Sequence, residues 1–450
     1  MGPHIRAVEE GYVKLDKNKS VSKAIRNKKM KIRCRKCFCS PCTVALLIVF
    51  CWIIWFLLWI YAIDDAEKYG KLVTLSMEVS NRRGAFCLDG SPPGYYIRKA
   101  GEGSESSWVI FLEGGDWCWN VTDCYDRSHT TLGSTAFGPE KVEFNGILSN
   151  DRISNPDFYN WNAVMIKYCD GGSFSGNLSF PVSFKNKNIY LRGIRILDTV
   201  MKHLKESEGL DSATEVIFGG TASGGLAVFA HADHIRQKFD PSVKFHALAD
   251  GGYLPMIRNS SNYQNFMVSL QRVYNLHQVL TGSLNKACLA SKAQSEAMWQ
   301  CFFPEFVYPH IQSKIFVLDS MYNSWAMWYI LNMRCHPSKC KSEQANLNRY
   351  QSEFLHLLSP IEASKKDGMY VTSCFVESQA SEDTLWNKNV FDDQSPQQAF
   401  HKWYFSSAKS VQSKHIDCQD KFNCNPQCDW STYAFNKIER KYKKKDFFVM

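Results

Sequence analysis

The feature that most constrains this chain is Thr43–Ile63 (TVALLIVFCWIIWFLLWIYAI), 21 residues without a charge. At about 1.5 Å per residue, a helix of that length spans a hydrocarbon core of roughly 30 Å. Soluble folds rarely bury such a run in one helix. A cleaved secretory leader has an apolar region of about 7–15 residues, closer to the N-terminus. Trp52, Trp55, Trp59 and Tyr61 suit the membrane interfaces. The preceding segment, 1–42, carries twelve Lys/Arg and three acids; that +9 is the whole chain's excess of 53 basic over 44 acidic residues. The positive-inside rule then puts 1–42 in the cytosol and everything after Ile63 outside it. The expectation is a single-pass type II membrane protein of the secretory pathway or plasma membrane, with the membrane as partner through 43–63. Residues after 63 are neutral overall, which argues against a nucleic-acid surface.

That topology sets the redox compartment. Twelve of the 17 cysteines follow the apolar run, enough for six disulfides in an oxidising lumen. Connectivity is not readable, although Cys118/Cys124, Cys335/Cys340 and Cys424/Cys428 are spaced to close short loops. Asn120-Val-Thr, Asn177-Leu-Ser and Asn259-Ser-Ser are glycosylation sequons on the luminal side, and Asn18-Lys-Ser falls on the cytosolic side. Cys34, Cys37, Cys39 and Cys42 crowd the cytosolic end of the span; they suit S-palmitoylation better than zinc.

Beyond the span, residues 64–80 read as a stem and 81–430 as a folded domain, followed by a basic tail, 431–450. Short apolar runs at Trp108–Leu112, Ala163–Ile166, Glu215–Phe218, Lys244–Leu248, Lys314–Leu318 and Met369–Cys374 read as strands, the last closing the series. They alternate with an amphipathic helix near 190–206 and a helix over Gly225–Lys238. Strand–helix alternation with glycine-rich turns predicts an α/β fold with a mostly parallel sheet and helices on both faces.

The sharpest local pattern is Val216-Ile-Phe-Gly-Gly-Thr-Ala-Ser-Gly-Gly225, a strand entering a glycine turn that opens a helix. This is the setting of a nucleophile elbow, where a tight turn lifts one side chain into a cleft beside backbone N–H groups able to hold an oxyanion. Around it the chain resembles the Notum/pectin acetylesterase family of α/β-hydrolase carboxylesterases, and its Notum members most. Carrying that resemblance, from about residue 77 to 430, are Cys87-Leu-Asp-Gly-Ser-Pro-Pro-Gly-Tyr-Tyr96, Phe111-Leu-Glu-Gly-Gly-Asp-Trp-Cys118, Gly146-Ile-Leu-Ser149, Leu248-Ala-Asp-Gly-Gly252, Cys301-Phe-Phe303 and Cys424-Asn-Pro-Gln-Cys428. The resemblance implies an α/β-hydrolase fold with disulfide-bonded insertions, an acyl pocket and no cofactor or metal.

It also implies a degenerate site. Where the family places its nucleophilic serine this chain has Ala222; its acid position holds Asn323, and its base position, in a C-x-x-H segment, holds Glu377. The oxyanion-hole positions are Gly115, Asp116 and Ser223. Alanine forms no acyl-enzyme, and glutamate cannot relay a proton as a near-neutral imidazole does. Asp116 would repel a developing oxyanion. Ser223 is the fallback nucleophile, although as the first helical residue its side chain should point away from the cleft. Asp319, His356 and His401 are possible substitutes for the acid and base, with nothing in the spacing to select them. Asp250 reads as a turn carboxylate. His231, Asp233 and His234 (H-x-D-H) read as helix packing and surface rather than metal ligands.

The expected function is therefore a membrane-anchored, catalytically inactive descendant of these esterases that binds an acylated ligand, a Wnt-like lipidated protein or a fatty acyl chain. The alternatives are an active carboxylesterase using Ser223 on lipidated protein or acetylated polysaccharide, and a structural or adhesion ectodomain.

Overall fold

The computed structural model describes residues 45–56 and 68–428, apart from 257–262, 334, 336–343, 389–390, 407–412, 421 and 423. The chain forms two compact units, 1–60 and 61–450. In the first, residues 45–56 are an exposed helix. The rest of the expected span (43–44 and 57–63), Cys34, Cys37, Cys39 and Cys42, and the tail 431–450 lie outside the described residues. Among the described residues no helix is long and apolar enough to cross a membrane.

The second unit is built on a ten-stranded sheet, in the order β12-β11-β10-β9-β8-β3-β5-β2-β1-β4. Its strands are β1 (Tyr69–Thr74), β2 (Gly94–Arg98), β3 (Ser107–Leu112), β4 (Lys141–Glu143), β5 (Asn162–Ile166), β8 (Glu215–Thr221), β9 (Lys244–Asp250), β10 (Lys314–Ser320), β11 (Gly368–Thr372) and β12 (Lys414–Ile416). The short β6 (Val182–Phe184) and β7 (Lys187–Ile189) pair as a separate hairpin. From β5 through β12 every neighbouring pair is parallel, while β2 runs antiparallel to β5 and to β1, and β4 antiparallel to β1.

Both faces of the parallel strands are buried, which is why they read as apolar runs rather than alternating patterns. Trp108, Ile110, Val216, Phe218, Ile315 and Val317 enter one core with the helices Gly193–Ser207, Ser223–Arg236 and Gln344–Ala363. Val109, Phe111, Ile217, Phe316 and Tyr370 enter a second core, closed by the helix Pro396–Phe405.

Three expectations change. The segment 64–80 is not simply a stem, because Tyr69–Thr74 is a sheet strand and Met77–Arg83 a helix. Gly70 looks like a breaker in the sequence; in the fold a Cβ there would lie 2.2 Å from the Phe144 ring. Met369–Cys374 is not the last strand, since β12 pairs in parallel beside β11. The disulfides are Cys87–Cys169, Cys118–Cys124, Cys288–Cys301, Cys374–Cys428 and Cys418–Cys424, and Cys335 is also disulfide-bonded. Cys424 and Cys428 thus do not close a loop together. Cys374 follows the end of β11, and the return of the chain through adjacent β12 brings Cys428 to it.

Candidate functional site

The loops leaving β3, β8, β9, β10 and β11 meet at the C-terminal edge of the sheet, where open α/β sheets place their clefts. β8 ends at Thr221, Ala222 takes φ 51° and ψ −118°, and the helix Ser223–Arg236 begins at once. Positive φ is strained for a residue with a Cβ. The turn closes only because its neighbours are glycines: a Cβ on Gly220 would meet the Gly224 carbonyl oxygen at 2.4 Å, and one on Gly224 the Leu112 carbonyl oxygen at 2.3 Å. The Ala222 N–H donates to the Asp250 carbonyl at 2.8 Å, tying the turn to β9. This is an elbow by conformation, with a methyl group at its apex.

Ala222 and Glu377 line one space with Asp116, Trp117, Ser223, Gly251, Leu254 and Trp325. It encloses about 10 Å³, room for roughly one water. Asn323 sits behind this space, buried as the N-cap of the helix Ser324–Tyr329. Its side-chain oxygen accepts from the Trp325 and Ala326 N–H groups at 3.0 and 3.2 Å. Its amide nitrogen donates to the Asp319 carboxylate at 3.2 Å and to the Glu377 carbonyl at 3.3 Å. Of the three positions expected to be degenerate, two therefore border the cleft and the third braces it from beneath.

Ser223 is 1% exposed, and its hydroxyl accepts from the Gly115 N–H at 2.8 Å. The serine expected as the fallback nucleophile thus engages a backbone donor of the loop that follows β3. That contact was not legible in the sequence, which indicated only that the side chain turns from the cleft. Asp116 takes φ 59°, and its carboxylate accepts from the Trp325 indole N–H at 2.8 Å. Buried Arg127 holds the same loop from behind, donating to the carbonyls of Gly115 and, at 3.1 Å, Trp117.

The other candidates have structural partners. Asp250 accepts from the backbone of Gln379 and Ala380 at 2.8–3.0 Å, and burial pushes its carboxyl well above the usual range. Asp319 is fully buried, accepts from the Tyr253 N–H at 3.0 Å, and is pushed up to about 7 by that burial. His231 lies between the hydroxyls of Ser175 (2.8 Å) and Ser283 (3.0 Å), and burial lowers it to about 3. Asp233 accepts from the backbone of Gln312 and Ser313, while His234 pairs with Asp198. These three side chains engage separate sets of partners and share no ligand point. His401, on the helix Pro396–Phe405, pairs with Asp157, and His356 is exposed on the helix Gln344–Ala363. Neither borders the space at Ala222. Among the described residues, one His/Cys/acid group is close enough to hold a metal, Cys118, Cys124 and His277, but its two sulfurs are joined to each other.

Of the sequons, the exposed Asn120 caps the helix Val121–Arg127 through its side-chain oxygen, which accepts from Asp123 N–H at 2.8 Å. Asn177 donates from its amide nitrogen to the Thr281 carbonyl at 2.7 Å. Asn259 lies outside the described residues.

The Pectinacetylesterase family profile matches residues 66–429, nearly the whole second unit. The chain belongs to the pectinacetylesterase family. Pectin acetylesterase 5 of Arabidopsis thaliana is 32% identical over 378 residues, covering 79% of this chain and 85% of its own length. The palmitoleoyl-protein carboxylesterase Notum of Schmidtea mediterranea is 29% identical over 247 residues, 53% of this chain and 46% of its own. The sequence reading set the chain nearest the Notum members; of these two relatives, the plant pectinacetylesterase shares the larger part of it. The fold is that of the Wnt deacylase Notum from Drosophila, with a TM-score of 0.68 at 23% identity, covering 80% of this chain and 99% of that one.

Proposed function

We propose that this pectinacetylesterase-family chain is a catalytically silent member, anchored in a membrane as a type II protein with its hydrolase domain on the luminal or extracellular side. The observation that carries the first part is Ala222. The elbow keeps its strained turn and its glycines, but the apex bears no oxygen to attack an ester. Glu377 at the base position offers no imidazole, and Asn323 is committed as a helix cap. Ser223 is buried and turned toward Gly115. The support for the anchor is the uncharged run 43–63 behind a +9 tail, together with disulfides that need an oxidising compartment.

The finer reading is that the domain binds an acylated protein or a fatty acyl chain without cleaving it, by analogy with relatives named for a palmitoleoyl-protein substrate. The small space at Ala222 favours a second reading, a structural or adhesion ectodomain in which that part of the cleft has closed. Two assays on the purified protein decide between these and the active-esterase alternative. Turnover of short and medium acyl esters should stay at background; turnover that Ser223→Ala abolishes refutes the silent reading. Binding of a long-chain fatty acid supports a ligand-binding role, and its absence supports the closed ectodomain.

A further inference from the structure

One residue beyond Trp117, which lines the space at Ala222, begins a cluster of side chains that the site does not use. Cys118 follows Trp117 in the loop after β3, Cys124 lies on the helix Val121–Arg127, and His277 follows the helix Tyr263–Leu276, its backbone N–H donating to the Val273 carbonyl at 2.9 Å. All three are 0% exposed. The His277 Nε2 stands 3.6 Å from the Cys118 sulfur and 4.0 Å from the Cys124 sulfur, and it donates to the Cys118 carbonyl at 2.9 Å. Its Nδ1 is buried with no hydrogen-bond partner among the described residues, a state that buried polar atoms rarely keep without a reason. The neighbouring glycines are shaped to the cluster. A Cβ on Gly171 would lie 2.7 Å from the Cys118 sulfur, and one on Gly172 2.5 Å from the His277 Nδ1.

Zinc binds thiolate sulfur at about 2.3 Å and imidazole nitrogen at about 2.0 Å in a tetrahedron, which sets the nitrogen about 3.5 Å from each sulfur and the sulfurs about 3.8 Å apart. The His277 Nε2 already stands close to that distance from Cys118, and within about 0.5 Å of it from Cys124. One change completes the set, the breaking of the bond between the two sulfurs. Two sulfurs with an imidazole suit zinc rather than magnesium or calcium, which take oxygen ligands.

We propose that Cys118, Cys124 and His277 form a zinc site whenever this cysteine pair is reduced, so that the same residues carry either the disulfide or the metal. A dithiol supplies the two electrons and two protons that convert the disulfide to two thiols, and is itself left as a disulfide. Zinc then takes both sulfurs as thiolates and two protons are released. The His277 proton moves from Nε2 to the unpartnered Nδ1, Nε2 turns its lone pair to the metal, and water takes the fourth position. The pair is also reduced in every newly made chain, before oxidation joins it. The disulfide ties Cys118 only to Cys124, whereas the metal ties both to the end of the helix Tyr263–Leu276. Zinc thus holds the loop bearing Asp116 and Trp117 while the cross-link is absent.

The test uses the purified full chain carrying Cys34→Ser, Cys37→Ser, Cys39→Ser and Cys42→Ser, so that the cysteines before the apolar run contribute no ligands. It is reduced under argon with a phosphine and titrated with cobalt, then with zinc. The expected result is one cobalt bound per chain, with the visible absorption of a tetrahedral, sulfur-ligated ion, displaced by one equivalent of zinc; the oxidised chain shows no such absorption. His277→Gln, and separately Cys118→Ser with Cys124→Ser, should each weaken zinc binding by more than about 100-fold. Where reduction alone unfolds the chain, as read by tryptophan emission, one equivalent of zinc should restore the folded emission, and failure to restore it overturns the proposal. A reduced, folded chain that binds no cobalt overturns it as well, as does a cobalt spectrum that survives His277→Gln or appears equally in the oxidised chain.

Discussion

Replacing Asn323 with aspartate puts a carboxylate at the position expected to hold the family's acid, by exchanging one NH₂ group for oxygen. The structure predicts that this substitution is costly. Asn323 is 1% exposed and donates from that NH₂ to Asp319 and to the Glu377 carbonyl. In Asn323→Asp both donated bonds are lost, and the new carboxylate faces Asp319 across the same 3.2 Å. Asp319 is already pushed up to about 7 by burial. Two like charges so close in a dry site cannot both ionise, so the pair retains a proton that the unfolded chain releases near pH 4. Folded pKa values raised in this way give stability that is present at low pH and lost as pH rises through the folded value. Because Asp319 by itself already keeps its proton up to about pH 7, the variant's extra cost begins there and grows by about 1.4 kcal/mol per pH unit. The expected loss is about 3 kcal/mol at pH 8.5 and about 1 kcal/mol, from the lost donated bonds, at pH 5. Urea denaturation of the purified protein, followed by tryptophan fluorescence at both pH values, measures it. A loss of equal size at the two pH values would refute the shared-proton argument, and no loss at either would refute the contact geometry.

Ser223→Ala should lower stability by about 1–2 kcal/mol, because it strands the Gly115 N–H in a part-buried site, and should leave ester turnover at background; a denaturation curve and a hydrolysis assay on the same preparation check both. Removing Cys374–Cys428, which closes a 54-residue loop, should cost about 4 kcal/mol, against about 2 kcal/mol for the six-residue loop of Cys118–Cys124. Thermal unfolding of the two double-alanine variants should rank them in that order. Glycan mapping should find Asn120 and Asn177 modified and Asn18 bare; the opposite pattern would reverse the membrane orientation. Asn120→Gln should abolish its glycan and also cost about 1 kcal/mol through the lost cap, so a glycan-free variant that keeps the cap, Thr122→Ala, should be the more stable of the two.

The sequence by itself determined the sheet's central strands and which residue stands at the apex of the elbow. Buried parallel strands must be apolar on both faces, so Trp108–Leu112, Glu215–Phe218 and Lys314–Leu318 were legible as runs. The identity of the residue at an elbow apex is set by its offset from the turn glycines, so Ala222 could be read without coordinates. Tertiary structure alone decided the rest. β1 was hidden because Gly70, a breaker locally, is required by the packed ring of Phe144. β12, three residues long, gains its place only by pairing with β11. The partner of Cys428 depends on where the chain returns after β11, a long-range fact that loop spacing does not contain. The sequence could say that position 323 holds an asparagine. Only the fold showed that its side chain caps a helix and braces Asp319 beneath the cleft, because its partners come from the end of β10 (Asp319), the helix after it (Trp325) and the segment after neighbouring β11 (Glu377).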